Sequence, residues 1–458
     1  MIEEYQTHNP ATGEVLATYA TLSAFQVQSL IEDAYETQKR WAKVPVDKRI
    51  QGIKEIAKLL RDHVDEYAGL ITDEMGKTLT ESTAEIEKCA FLCDFYASHA
   101  KTWLSPQKID YEDLHAERIF SPLGVVYSIT PWNFPFWQVF RAAISNLLLG
   151  NTIVLKHAEN VIGCSYAISS LIHQAVGEEV LKPVVIDLSL SQKIIEHPKI
   201  AAITFTGSPK VGRVIASQAG AVGKKLVLEL GGSDPYIIRE DIDIESVAKH
   251  ITQVRMANAG QVCVSRKRLI VDSKIKQDFE KAILHYVEQI PVGHPKLQST
   301  LMGPMAKMSL LKQLDQQIKQ SIEQGAKLLA GGHALSDQSG FYYAPTVLTD
   351  VTSKMTAFVE ELFGPVITII ESQDDAEAIK LANDSVYGLG SGIFSKDIKL
   401  AQKIAYEDIE AGMCFVNKCV ASHPAMPFGG VKASGYGREC SIEGLHELAN
   451  IKTVLVAS

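Results

Sequence analysis

Several short segments of this chain set reactive side chain types beside residues that fix the backbone. Cys263 closes Asn258-Ala259-Gly260-Gln261-Val262-Cys263, a polar, glycine-containing turn after a helical stretch, and Arg266, Lys267 and Arg268 follow it. A cation close to a thiol favours the nucleophilic thiolate. Inert packing is the ordinary alternative for a cysteine. Glu229 ends the apolar run Leu226-Val227-Leu228, with Gly231 and Gly232 just beyond. A carboxylate at the end of a buried strand is either paired in a salt bridge or held as a general base with a raised pKa. In Thr130-Pro131-Trp132-Asn133-Phe134-Pro135, two prolines bracket Asn133. An amide fixed in this way can donate to an oxyanion, a role worth roughly 3 kcal/mol; the bland reading is a rigid turn. Phe205 to Gly212, with Gly207 and Ser208 at its turn, joins a strand to a helix whose first amides would attract phosphate. It lacks the full G-x-G-x-x-G pattern. Lys156 and Glu159 follow another strand end, where they could grip a ribose or remain solvated.

The elements that must position these groups change character along the chain. Val27, Leu30, Ile31, Ala34, Tyr35 and Trp41 recur near a 3.6-residue period, as do Ile50, Ile53, Ile56, Ala57 and Leu60 after the candidate cap Asp47, so the first hundred residues read as helical. From about residue 124, apolar runs at 124–129, 152–155, 184–186, 201–205 and 226–228 alternate with helix-length segments. That alternation predicts parallel βαβ units in a doubly wound sheet, which binds ligands at the carboxyl ends of its strands. A second series follows Gly232, with strands near 269–271, 366–371 and 413–417 and helices near 275–290 and 307–325. The fold class expected is α/β: a Rossmann-like cofactor domain, a second α/β catalytic domain and a small β oligomerisation element. The segment 451–456 reads as a terminal strand able to pair with another subunit.

At 458 residues the chain is too long for one core. A net charge of −9 argues against a general nucleic-acid binder. The polar, acidic start lacks the pattern of a secretory signal, and no apolar run reaches the roughly 18 residues of a membrane span. The seven cysteines form no paired C-x-x-C units, so no metal site is expected and reduced thiols in a cytoplasm are.

In order and spacing these segments resemble the aldehyde dehydrogenase superfamily across essentially the whole chain. The motifs are N-P-A-T-G-E near the start, P-W-N-F-P, the strand-end lysine, F-T-G-S-x-x-x-G, L-E-L-G-G, G-Q-x-C, E-x-F-G-P at Glu361 to Pro365, and P-F-G-G-x-K-x-S-G at Pro427 to Gly435. The resemblance implies Cys263 as nucleophile forming a thiohemiacetal and then a thioester. It implies Asn133 and the Cys263 amide as oxyanion donors and Glu229 as the base for hydrolysis. It also implies cofactor contacts from Thr130, Trp132, Lys156, Glu159, Gly207, Ser208, Gly212, Glu361 and Phe363. A carboxylate at Glu159 suits a ribose 2′-hydroxyl and repels a 2′-phosphate, so NAD is the first expectation. Lys156 and His157 could offset part of that repulsion, which keeps NADP open.

Within the superfamily the chain looks most like the bacterial succinate-semialdehyde dehydrogenase branch, with L-E-L-G-G-S-D-P at Leu228 to Pro235 and K-H-A at Lys156. Arg141, eight residues after Asn133, stands where such relatives bind the distal carboxylate, with Trp137 and Gln138 as tunnel-lining neighbours. Ala257 departs from a second arginine six residues before the nucleophile, and Ser265 from a redox-partner cysteine two residues after it. A residue near Ser422 or His423 would have to compensate for the first. The domains implied are 1–103 with 123–231 for the cofactor, 232–432 for catalysis, and 104–122 with 445–458 for assembly into a homodimer or homotetramer. A cofactor-free thiol hydrolase, a CoA-acylating enzyme and a non-catalytic relative are the competing readings.

Overall fold

The computed structural model describes residues 3–112, 114–336 and 338–456; residues 1–2 of the acidic start and 457–458 of the terminal segment lie outside them. The chain opens on an antiparallel hairpin, Glu4–His8 with Val15–Ala20, rather than on a helix. Its turn is the N-P-A-T-G run: Asn9 Oδ1 accepts from the Ala11 N–H at 2.9 Å, and Gly13 takes a φ of 79°. The second strand is largely exposed, with only Ala17 and Tyr19 half-buried and apolar Leu16 on the opposite face, so its period of two is faint. The helices Ala24–Trp41, Val46–Asp62, Val64–Met75 and Leu79–Trp103 follow. The two expected apolar stripes are the buried faces of the first pair, although Asp47 falls in the first turn and Pro45 occupies the cap.

A six-stranded sheet has strands beginning, in spatial order, at Gly435, Lys225, Ile200, Val125, Thr152 and Leu181. All neighbours are parallel except Gly435–Tyr436, which lies antiparallel to Lys225–Glu229. Its last strand is Leu181–Pro183, not 184–186: the Val184 N–H still donates to the Leu155 carbonyl at 2.8 Å, but the ladder goes no further and the later residues are buried outside it. Register brings the strand ends to one edge, with Thr130 opposite His157 and Thr206 opposite Glu229. The Asn133 turn, the Lys156 segment, the Gly207 turn and Glu229 therefore share the carboxyl edge where such sheets take ligands.

A seven-stranded sheet begins in spatial order at Lys327, Thr346, Val366, Arg266, Asp234, Gly390 and Met413, and only its first strand is antiparallel. The terminal strand Ala449–Leu455 finds a partner inside its own chain. It joins Leu114–Pro122 and Gln107–Tyr111 as an outer strand of a three-stranded antiparallel sheet.

One helix ties these parts together. Thr78 and Glu81 close a reciprocal cap on Leu79–Trp103, and Glu85 lies one turn further along. Glu85 is buried, and its Oε1 accepts from the backbone N–H groups of Phe136 and Trp137 at 2.8 and 2.9 Å. These are the first amides of the Pro135–Leu149 helix, which has no side-chain cap of its own. The other oxygen of Glu85 meets the buried Lys77 Nζ at 2.5 Å, and that ammonium stands 3.8 Å from the centre of the Phe134 ring. Glu85→Ala leaves Lys77 and two amides buried without partners, a loss of about 3–5 kcal/mol. Calorimetry should show a markedly lower midpoint for this variant; an unchanged midpoint would refute the pair's structural role.

Candidate active site

A cavity of about 390 Å³ runs from the Thr206–Pro209 turn to Cys263, with Trp132, Asn133, Gln138, Glu361 and Phe363 on its walls. The loop that delivers Cys263 is strained. After the helix Ile244–Met256, Asn258, Ala259 and Gly260 take φ of 54°, 50° and 71°. Non-glycine residues in that region cost roughly 1–3 kcal/mol each unless their surroundings hold them. A Cβ on Gly260 would lie 2.0 Å from the Gly364 carbonyl oxygen, so no larger residue fits.

The holding contacts come from every side. Glu81 Oε1 accepts from the Asn258 N–H at 2.6 Å, and Asn258 Nδ2 donates to the Asn133 carbonyl at 2.9 Å. The buried Arg255 guanidinium donates to the carbonyls of Val366, Gly260 and Leu362 and to Ser265 Oγ. Arg255 therefore pins the loop and does not replace the arginine absent at Ala257.

Asn133 Nδ2 donates to the Gln261 carbonyl at 3.0 Å, while its Oδ1 accepts from Gln138 Nε2 at 3.4 Å. An amide nitrogen carries two hydrogens, so one remains to be offered on the cavity wall. The Cys263 thiol is half-buried. Burial pushes it up to about 11, against the pull of Arg141 and Lys267. Of the three basic residues that follow the cysteine, only Lys267 turns back to it. Its Nζ donates to the Cys263 carbonyl (2.6 Å), the Gly232 carbonyl (2.6 Å) and Glu361 Oε1 (2.7 Å). Arg266 reaches the Val420 carbonyl, and Arg268 those of Ser233, Leu381 and Ala382.

Glu229 is not brought against Cys263. Its carboxylate is buried with no hydrogen-bond partner on either oxygen. Burial first, and then the neighbouring Glu439 carboxylate, raise it well above the usual range; Arg141 and Arg438 oppose them. Glu439 is ion-paired with Arg141 and was not singled out from sequence. Arg141 is itself buried, donates to Gln138 Oε1 at 2.8 Å and lies 4.3 Å from the Phe428 ring centre. Its charge is thus already met inside the protein, and it does not line the cavity. Trp137 is buried one turn before it, while Gln138 lines the cavity directly.

Of the expected cofactor residues, Trp132, Gly207, Ser208, Glu361 and Phe363 share the cavity with Cys263, and the Trp132 and Phe363 rings meet edge to face at 5.8 Å. Ser208 caps the Pro209–Ala221 helix, with its Oγ accepting from the Val211 N–H. Gly212 serves packing: a Cβ there would lie 2.5 Å from Leu230 Cδ2. Thr130 Oγ1 faces His157 Nδ1 at 3.1 Å. Lys156 and Glu159 pair at 2.7 Å in a separate small cleft with Tyr5 and Ile186. Burial pushes the Glu159 carboxyl up, but Lys156 and Lys307 outweigh it and hold it down at about 2. Burial lowers His157 to about 4, so its ring is neutral and offsets no phosphate charge. A capped helix start, a lysine–carboxylate pair after a strand end and an aromatic-walled cavity ending at a thiol fit an extended dinucleotide. Among the described residues no His, Cys, Asp and Glu cluster suits a metal ion, and no helix is long and apolar enough to cross a membrane.

The sequence profile described as the aldehyde dehydrogenase family matches residues 2–454. The chain is 41% identical over 447 residues to the succinate semialdehyde dehydrogenase [NAD(P)+] Sad of Escherichia coli K12, covering 97% of this chain and 96% of that protein. A probable succinate-semialdehyde dehydrogenase [NADP(+)] of Synechocystis is 39% identical, covering 98% of this chain and 99% of its own. Among solved structures, succinic semialdehyde dehydrogenase from Streptococcus pyogenes with NADP+ superposes with a TM-score of 0.96 at 34% identity, over 99% of this chain and 100% of that one. The structure of Gox0499 gives 0.97 at 37% identity over the whole of both chains.

The raised thiol has a measurable signature. Without added ligands, alkylation of Cys263 by iodoacetamide should increase by roughly tenfold per pH unit from pH 7 to 10, because the thiolate is the reacting species. Peptide mass spectrometry reads the rate at each cysteine, and a plateau below pH 8 would contradict it.

Proposed function

Because the chain belongs to the aldehyde dehydrogenase family, we propose that the aldehyde it oxidises is succinate semialdehyde, released as succinate, with NAD preferred over NADP. The chain is an NAD(P)-dependent aldehyde dehydrogenase. The observation that carries the mechanism is the placement of Cys263, the Asn133 amide and Glu361 on one cavity. When bound, the nicotinamide dinucleotide supplies the hydride acceptor. With it bound, Trp132 and Phe363 would wall its nicotinamide end, and Glu361, held by Lys267, would orient the adjoining ribose.

Cys263, as its thiolate, attacks the aldehyde carbon, and the carbonyl π pair moves to oxygen. The free Asn133 N–H and the Cys263 backbone N–H receive that oxyanion. Loss of hydride from the adduct leaves a thioester on Cys263. Glu229, which burial and Glu439 hold above the ordinary carboxylate range, accepts a proton from water near neutral pH. The hydroxide adds to the thioester, and the thiolate leaves as the acid is released. Glu229 reaches this water by swinging away from Arg141 and Arg438 toward Cys263. Arg141, paired with Glu439 and without a place on the cavity wall, holds Gln138, which does line it, and its charge draws the distal carboxylate toward that end, with Trp137 behind.

Support for NAD comes from Glu159, an ionised carboxylate suited to a 2′-hydroxyl. Lys156 and Lys307 flank it and make NADP the second acceptor. Seven unpaired cysteines support residence in a reducing cytoplasm. The outer strand Ala449–Leu455, with exposed Ile451, Val454 and Leu455, supports self-association as a homodimer or homotetramer. A cofactor-free thiol hydrolase leaves Glu361, Phe363 and the capped helix without a role.

Absorbance of the reduced nicotinamide, followed with succinate semialdehyde and with uncharged aldehydes, tests the reading; no preference for the carboxylated substrate would remove it. Cys263→Ala should abolish turnover, whereas Glu229→Gln should retain a single burst of reduced product and lose roughly 10²–10⁴-fold in steady rate. Glu159→Ala should shift the NADP to NAD ratio of kcat/KM upward by at least roughly tenfold. An unmoved ratio would remove Glu159 as the selector.

A further inference from the structure

The helix that indexes the Asn133 turn carries an ammonium that, among the described residues, forms no ion pair. Lys88 sits on the Leu79–Trp103 helix, on the face that also carries Glu81 and Glu85. Its side chain is half-buried, its Nζ lies 4.1 Å from the Trp137 ring centre, and it donates to Ser422 Oγ at 2.8 Å. Glu85, the acid on its own helix whose charge bears on it, is taken by Lys77 and by two amides, and the adjacent Glu87 turns to Arg61. Among the described residues no carboxylate forms an ion pair with Lys88. An ammonium withdrawn from water with only an aromatic face and a hydroxyl for company is poorly compensated, and an anion arriving there gains what the ammonium lacks.

Trp137 connects this ammonium to the chemistry. The next residue, Gln138, lines the cavity with Cys263, and the Trp137 indole N–H is buried without a partner. Ser422 accepts from Lys88 and keeps its own hydrogen to donate. Arg141 lies one helical turn beyond Trp137, about 5.4 Å along the axis, but its charge is met by Glu439. We propose that Lys88 is a substrate-specificity residue that binds the distal carboxylate of the aldehyde, with the Ser422 hydroxyl and the Trp137 N–H as the accompanying donors. This rests on the carboxylated-substrate reading above, and it supplies the cation that Ala257 does not.

The surroundings give Lys88 a pH signature. Burial lowers its ammonium to about 8, with Arg141 in the same direction and Cys440, Cys89 and Glu85 opposing. Across from it, His423 packs on Phe91 in the loop that holds Ser422. The ammonium is charged below about pH 8 and lost above it, so recognition of a carboxylate should fade as pH rises through that value.

The test uses the full-length enzyme with succinate semialdehyde and with butanal, an uncharged aldehyde of the same chain length. Selectivity, the ratio of the two kcat/KM values, should fall at least tenfold in Lys88→Met, mainly through KM for the carboxylated substrate. Lys88→Arg should recover most of it, and Ser422→Ala should lose less than Lys88→Met. Wild-type selectivity should decline above about pH 8, and that of Lys88→Arg should not. Wild type without any preference for the carboxylated aldehyde overturns the substrate reading itself. A preference retained in Lys88→Met overturns only the role of Lys88. Equal losses on both substrates, or a Ser422→Ala variant that matches Lys88→Met, would show Lys88 to be a loop anchor and overturn the proposal.

Discussion

A carboxylate sealed inside a protein with one ammonium still has lone pairs to satisfy, and Glu85 satisfies its own on the first amides of the Pro135–Leu149 helix. Those two bonds fix where the helix begins, and thereby the direction of the turn that holds Asn133. Four residues earlier on the same helix, Glu81 grips the Asn258 amide and so the loop of Cys263. The nucleophile and the amide facing it are thus indexed to one rigid rod rather than to each other. The left-handed run at Asn258–Gly260 persists because this rod, Arg255 and Gly364 leave it no relaxed alternative.

A second electrostatic unit governs the base. Arg141, Glu439 and Glu229 share one buried compartment with Arg438 at its side, and two carboxylates this close, with Arg141 already paired, cannot both ionise easily. Glu439 takes the ion pair, so Glu229 is the member left favouring its proton. Without hydrogen bonds on either oxygen, nothing local anchors Glu229 in this position. That combination suits a group that must move and exchange a proton.

Much of this is legible in the amino-acid sequence itself. Asn133, Lys156, Gly207 and Glu229 follow or end apolar runs whose alternation with helices places strand ends on one edge, and that edge is where they stand. Other features resisted. The opening hairpin buries too little for a clear amphipathic period, and the apolar run at 184–186 is buried just past the end of its strand rather than in it. Lys267 was visible as a charge near Cys263, but its grip on Glu361 joins residues 94 positions apart. Lys88 and Glu439 carried no local signal. Their meaning lies in what a helix and a late loop bring beside Trp137 and Arg141, and approach at that range leaves no spacing to read.

The short strand Gly435–Tyr436 closes the edge of the strand that ends in Glu229, and Arg438 and Glu439 follow it directly. The compartment that sets the base is therefore assembled from residues more than two hundred positions apart. On the ribosome, the other strands of the first sheet emerge long before Gly435–Tyr436 and leave the Lys225–Glu229 edge unpaired, with Glu229 lacking its neighbours, until that distant segment has been made. Maturation of the base thus waits on a segment made well after the base itself. A chain released early would carry a thiol loop and most of two sheets, yet expose a strand edge prone to pairing with its neighbours.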